Sequence, residues 1–358
     1  MPSFYEIEKP RSRESRGDSH SLARPDTHRK SLDRKAVRRL VRLLSLWSGA
    51  RHVRESWDWA RCRHVSLPNV AELRKTLAAL DQNTSQRQTF GENSESPIFL
   101  LATGWRTGST LLQRILVTDQ RLLLWGEPFG EMALISTLTE SLARLSNFPN
   151  LSQLWSGEGF TASSETSATL AKSWIATLYP AGADLRAALR ALLTQWFAKP
   201  AVERGFSRWG FKEVRLGAAE AMMLHWLYPQ AKFVILSRHP FDCYRSLADS
   251  GWHHVYHRRP DIRVDSAAGL SRHWNRLALS WGELPPEFPA IHIKYEDLIQ
   301  GKVDFRALEL WLGIEIKEDA ALSVAVGHTA VRTRLNWFER FIITREADPG
   351  MRALGYLK

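Results

Sequence analysis

The residues of this chain best suited to chemistry are those that can grip anions. Thr103-Gly-Trp-Arg-Thr-Gly-Ser-Thr110 joins an apolar run, Pro97–Thr103, to a helical apolar pattern over Ser109–Leu116. Glycines at 104 and 108 permit positive φ and a close backbone approach to a ligand. A helix opening near Ser109 offers N–H groups and the positive end of its dipole to an anion. Ser109 and Thr110 add hydroxyl donors, and Arg106 adds a forked cation for oxyanions. This is not a Walker A loop, because Thr103 stands five residues before Gly108 and Ser109 occupies the lysine position. A second anion group follows the run Ala231–Ser237, where Arg238 precedes the helix-opening Pro240 and Ser246 lies eight residues further on. An arginine at a strand tip and a serine on the next helix can converge on one phosphate. Taken alone, Arg238 reads better as a surface or salt-bridge arginine. Leu124-Trp-Gly-Glu-Pro128 sets Glu127 beside the loop, with Glu131 as a fallback carboxylate. Trp209-Gly-Phe-Lys-Glu-Val-Arg215 sets Lys212 at another strand end, where Glu213 and Arg215 also offer an ordinary ion-pair cluster.

These groups need strands and helices that bring them to one place. Short apolar runs at Pro97–Thr103, Arg121–Trp125, Trp209–Val214, Ala231–Ser237 and Ala290–Lys294 predict buried strands. Helical patterns alternate with them at Ser109–Leu116, Ala218–Leu227, Phe241–Ser250 and Ala267–Leu284. Such alternation predicts an α/β fold, a parallel sheet flanked by helices. Ligands of these folds bind beyond the carboxyl ends of the strands, where all the residues above fall. Glu131–Lys199 is helical in pattern and predicts an insertion that caps the sheet, over about residues 131–200. Residues 1–34 predict a disordered basic tail, 35–95 a helical N-terminal extension, and 96–358 the main domain.

Arg106-Thr-Gly-Ser-Thr110 resembles the 5'-phosphosulfate loop of the sulfotransferases that use 3'-phosphoadenosine 5'-phosphosulfate (PAPS), in the R-[ST]-G-[ST]-[ST] form of carbohydrate, tyrosylprotein and bacterial members. The aryl and steroid branch carries lysine where this chain has Arg106. Arg238 through Ser246 is similar to the family's 3'-phosphate site at the family's spacing. Two anion sites on separate strands suit a donor with phosphate at both ends of its ribose. The resemblance implies a P-loop-type sheet and a sulfuryl transfer from PAPS to a hydroxyl by in-line displacement, without a required metal. It implies donor binding by Arg106, Thr107, Gly108, Ser109, Thr110, Arg238 and Ser246. Glu127 follows Arg106 by 21 residues, the interval of the family's glutamate base, and Lys212 precedes Arg238 by 26, similar to the catalytic lysine that holds the bridging oxygen. Catalytic roles are thereby implied for Glu127, Lys212 and Arg106. Arg332, Arg334, Asn336 and Trp337 fall where family members close a late loop over the nucleotide, although the aryl branch's R-K-G is absent. Lys294-Tyr-Glu-Asp-Leu298 also resembles a family segment, with a helix-capping carboxylate as its expected role. A P-loop kinase and a non-catalytic nucleotide-binding relative are the competing readings; the first lacks its loop lysine.

Composition narrows the partners. Residues 1–64 hold sixteen Lys/Arg against eight Asp/Glu, so an excess of 8 of the net +11 sits in the N-terminal arm. The body is close to neutral, and no nucleic-acid partner is expected. Two cysteines, Cys62 and Cys243, form no metal or disulfide pattern. Leu40–Trp47 is interrupted by Arg42 and falls short of the ~20 residues of a span. A cytoplasmic enzyme is the expectation. His253, His254 and His257 read as a solvated loop rather than a metal set. The expected acceptor is a hydroxyl of a carbohydrate or small natural product, with peptide tyrosine behind it. Lys35–Trp59 predicts a basic amphipathic helix, docked on the body or resting on a membrane surface. For a docked helix, deleting residues 1–60 leaves binding to anionic liposomes unchanged in a sedimentation assay. Loss of binding on deletion identifies membrane contact.

Overall fold

The computed structural model describes residues 69–82, 96–128, 132–145, 162–172, 182–250, 264, 266–317 and 333–357, all within one unit, His52–Lys358. The expected tail over 1–34 and the helix over Lys35–Trp59 lie outside the described residues, as do Cys62, Glu131, His253, His254, His257 and Arg332.

The described elements run in chain order as α1 (Val70–Gln82), β1 (Ile98–Ala102), α2 (Ser109–Leu116), β2 (Leu122–Trp125), α3 (Leu134–Leu145), α4 (Ser164–Lys172) and α5 (Gly182–Leu193). A π-helical turn, Thr194–Ala198, leads to α6 (Lys199–Glu203), β3 (Arg208–Glu213), α7 (Ala218–Leu227), β4 (Lys232–Ser237) and α8 (Pro240–Ser250). Then follow α9 (Ala267–Ser280), a short 3-10 turn, β5 (Ala290–Lys294), α10 (Tyr295–Ile299), α11 (Phe305–Leu312) and α12 (Trp337–Ala353).

The five strands form one parallel sheet in the order β2-β3-β1-β4-β5. Strand β1 is central, and all of Ile-Phe-Leu-Leu-Ala is buried because helices cover both faces. One face carries Phe99, whose ring centroid lies 4.6 Å from that of Phe211 and 5.2 Å from that of Phe233 on the flanking strands. Over this face pack Leu73 and Leu80 of α1, Ile135 and Leu142 of α3, Phe197 of the π-turn and Leu224 of α7. The expected helical block over 131–200 is helical where it is described. Its α3 and π-turn cover the sheet, whereas α4 buries no residue. On the opposite face Ile98, Leu100 and Ala102 meet α2, α8, α9 and α12 through Leu112, Leu247, Trp274 and Ile343. Strands β1 and β3 approach so closely that a Cβ on Gly210 would stand 1.8 Å from the Ile98 carbonyl oxygen.

Helix α12 was not apparent from the residue pattern, because Pro349 lies inside it. The Gly350 N–H next to that proline donates to Asn275 Oδ1 of α9 at 2.7 Å. The chain then brings the Tyr356 hydroxyl to Ser237 Oγ at the tip of β4 and to Glu296 Oε2, each at 3.1 Å.

The turn between α2 and β2 is tied by Asp119, a buried carboxylate that accepts from Arg121 Nε and Nη2 at 3.0 and 2.7 Å and from the Glu315 N–H at 3.0 Å. These bonds, Arg121 first, hold its pKa down at about 2. A depressed carboxylate contributes stability that is present above its unfolded value of ~3.9 and is lost as pH falls through the folded one. Asp119→Asn is therefore expected to cost about 1–2 kcal/mol at neutral pH, discounted because Arg121 is exposed. Its denaturation midpoint should converge with that of the wild type between pH 4 and about 2. A gap that persists at low pH would show that charge is not the cause.

Candidate active site

The loop after β1 is built from alternating handedness. Gly104, Arg106 and Gly108 take φ of 111°, 64° and 91°, a backbone alternation of the kind that forms anion-binding nests. Positive φ is natural for the glycines and strained for Arg106. Two contacts hold Arg106 there: its Nε donates to Ser246 Oγ at 3.1 Å, and its carbonyl accepts from Arg238 Nη1 at 3.0 Å. The two expected anion groups are thus joined directly. Helix α2 begins at Ser109, and Gly108 gives it no side-chain cap, which leaves the helix end available to a ligand.

Tyr295, at the start of α10, supports this arrangement from below. Its ring fills the space where a Cβ on Gly108 would lie, with Cδ2 only 2.2 Å from that position. The Arg238 guanidinium lies over the same ring at 4.2 Å, a cation–π contact. Arg238 Nε is buried and has no hydrogen-bond partner among the described residues. A guanidinium close to an uncapped helix start suits an oxyanion. The Lys294–Leu298 segment is structural as expected, but not as a cap. Glu296 Oε1 accepts from the His239 N–H at 2.8 Å, so it fixes the chain next to Arg238 instead.

A cavity of about 310 Å³ opens over these groups. Arg106, Gly108, Ser109, Thr110, Glu127, Arg238 and Ser246 all line it, together with Trp105, Asp249 and Tyr295. Thr107 does not. Its side chain is wholly buried, and its hydroxyl donates to the Gly104 carbonyl at 3.1 Å, so it shapes the loop rather than offering a donor to the cavity. Of the expected late-loop residues, Asn336 caps α12 by accepting from the Glu339 N–H at 2.8 Å, and Arg334 and Trp337 are exposed. None of these three lines the cavity.

Glu127 follows β2 and meets two cations from the end of β3. Lys212 Nζ lies 2.5 Å from its Oε1, and Arg215 Nη2 lies 3.5 Å from its Oε2. Arg215 also pairs with Glu213 at 2.8 Å. Glu213 has no solvent exposure, and burial pushes its pKa up while Arg215 opposes the shift. The expected ion-pair cluster of Lys212, Glu213 and Arg215 therefore exists, and it has Glu127 as a fourth member. Behind Arg238, Cys243 is buried and its thiol is pushed up to about 12, so it stays protonated.

Trp105, Asp249 and Tyr295, which line the cavity, and Arg215, which pairs with Glu127, were not singled out as binding residues from sequence. Tyr295 had one readable signal, its place at a strand-to-helix junction on the sheet's carboxyl edge. Among the described residues, no group of three His, Cys, Asp or Glu side chains is disposed to hold a metal, and no helix is long and apolar enough to cross a membrane.

The family model described as "Sulfotransferase family" matches residues 97–318. That span exceeds half of the chain, and the chain belongs to the sulfotransferase family. No curated protein sequence matches it. Among solved structures, a sulfotransferase from Alicyclobacillus acidocaldarius is 16% identical, covers 73% of this chain and 94% of its own, and has a TM-score of 0.37. A sulfotransferase of Mycobacterium tuberculosis H37Rv is 16% identical over 87% and 98% of the two chains, with a TM-score of 0.35. A mouse sulfotransferase complexed with PAP is 12% identical over 79% and 93%, also with a TM-score of 0.35.

Gly108→Ala should destabilise the fold twice over, through positive φ (about 1–2 kcal/mol) and through overlap with Tyr295 (about 1–3 kcal/mol). In a Tyr295→Ala background only the first cost remains. Denaturant titration of the four proteins should thus return a favourable coupling of about 1–3 kcal/mol. Simple additivity would mean that the ring does not constrain the loop.

Proposed function

We propose that this member of the sulfotransferase family transfers a sulfuryl group from PAPS to an acceptor hydroxyl, with Glu127 as general base. The observation that carries the reading is one cavity in which a carboxylate held by two cations faces an anion site lined by Arg106, Arg238 and the start of α2. Donor phosphates would meet the loop N–H groups, Ser109, Thr110 and Arg106 at one end. At the other they would meet Arg238 and Ser246. Ser109 in place of a loop lysine gives no support to phosphoryl transfer from a nucleoside triphosphate.

In this mechanism the acceptor O–H gives its proton to Glu127 while its oxygen forms the new O–S bond. The bond from sulfur to the bridging oxygen breaks, and its electron pair leaves with the 5'-phosphate. The products are a sulfate monoester and adenosine 3',5'-bisphosphate. Lys212 neutralises the charge growing on the bridging oxygen, and Arg106 that on the equatorial oxygens. The side chains hold donor and acceptor in line, which supplies the orientation part of the rate.

The acceptor we favour is a carbohydrate or small natural-product hydroxyl, and the setting we favour is the cytoplasm.

Arg238→Ala should weaken calorimetric binding of adenosine 3',5'-bisphosphate by about 10- to 100-fold, the loss of charge-assisted hydrogen bonds. Glu127→Gln should lower kcat by about 10²- to 10⁴-fold without weakening donor binding. Rates come from labelled PAPS and a panel of monosaccharide and phenol acceptors. Wild-type turnover in Glu127→Gln removes the base assignment, and the absence of binding heat in the wild type removes the donor.

A further inference from the structure

Glu127 is held by two differently anchored cations. Lys212, as buried as Arg215, is anchored at its Nζ by the 2.5 Å bond to Oε1, with Glu127 as its hydrogen-bond partner among the described residues. Arg215 is clamped. Its Nη2 lies 2.8 and 3.0 Å from the two oxygens of Glu213, which has no exposed surface and also accepts from the Val214 N–H at 2.8 Å. Its guanidinium carbon lies 5.7 Å from the centre of the Trp105 ring, in the wall of the cavity. Moving Arg215 would strip a buried carboxylate of its counter-charge, which is strongly unfavourable. Moving Lys212 leaves Glu127 still paired with Arg215.

The two cations also cannot do the same work. A lysine engaged with Glu127 is not stabilising charge on a leaving group. Once Lys212 turns to the bridging oxygen, the base loses its closer partner at the moment when its aim matters most. We propose that Arg215, anchored by Glu213, is the positioning residue that keeps Glu127 aimed at the acceptor hydroxyl while Lys212 is drawn to the donor. Arg215 touches neither substrate and acts only through Glu127. This inference rests on the sulfuryl-transfer reading above and gives a role to a residue to which the quoted resemblance assigns none.

The test is a double-mutant cycle on the full chain, with PAPS and the best acceptor of the monosaccharide and phenol panel. Arg215→Gln is expected to lower kcat by about 10- to 100-fold, as for a 1 Å misplacement of a reacting group. Calorimetric affinity for adenosine 3',5'-bisphosphate should stay within about twofold. In a Glu127→Gln background the same substitution should change kcat by less than about twofold, since the group it positions is already gone. A structural role would lower kcat equally in both backgrounds, and that outcome overturns the proposal. An unchanged kcat in Arg215→Gln overturns it as well.

Because Arg215→Gln strands the Glu213 charge, the paired replacement Arg215→Gln/Glu213→Gln is measured alongside, and it is expected to fold and to show the same kcat loss. If wild type fails to turn over PAPS, or Glu127→Gln is fully active, the sulfuryl-transfer reading itself has failed. If both behave as expected and the cycle is additive, only the role of Arg215 is lost.

Discussion

Parallelism of the five strands is the constraint on which the site depends. In a parallel sheet every strand ends at the same edge, and every following helix begins there. The cavity takes lining residues from beyond each strand in turn: Trp105 and Arg106 after β1, Glu127 after β2, Val214 after β3, Arg238 after β4 and Tyr295 after β5. No single supersecondary unit holds the site. Its accuracy is that of the sheet, which rests on the apolar clusters on both faces and on the close contact of Gly210 with Ile98.

Gathering cations at one edge creates repulsion that the fold has to offset. Three of these cations have a specific counterpart. Lys212 has Glu127, Arg215 has Glu213, and Arg238 has the Tyr295 ring face and the Arg106 carbonyl. The counterparts differ in burial. Glu213 is fully buried and bound on several sides, whereas Glu127 borders open space. The strained backbone of Arg106 belongs to the same arrangement, since its φ of 64° is kept by bonds to Ser246 and Arg238 that tie two strand tips together.

Much of this was legible in one dimension. The strand Ala290–Lys294 and the helices Ser109–Leu116 and Ala218–Leu227 coincide with their patterns, because apolar periodicity and Gly/Pro punctuation are local properties. Features held by distant partners were not. Helix α12 runs through Pro349, and Asn275, 75 positions away, takes the neighbouring N–H. Thr107 looks like a ligand donor in the motif, yet the loop's own turn directs its hydroxyl to Gly104. A carboxylate of the 294–298 segment was expected to cap a helix, whereas the tertiary fold engages Glu296 with His239 and Tyr356.

By itself the amino-acid order determined the family, the parallel α/β class and the types of group at each strand end, since loop motifs and apolar runs depend on neighbours a few residues apart. Tertiary structure alone decided which of those groups meet. It joined Arg106 to Ser246 across 140 positions, set Lys212 against Glu127 across 85, and seated Tyr295 under Gly108. The physical reason is range: dihedral preferences act along the chain, whereas charge pairing and ring packing act through space and exist only once the sheet has brought its edges together.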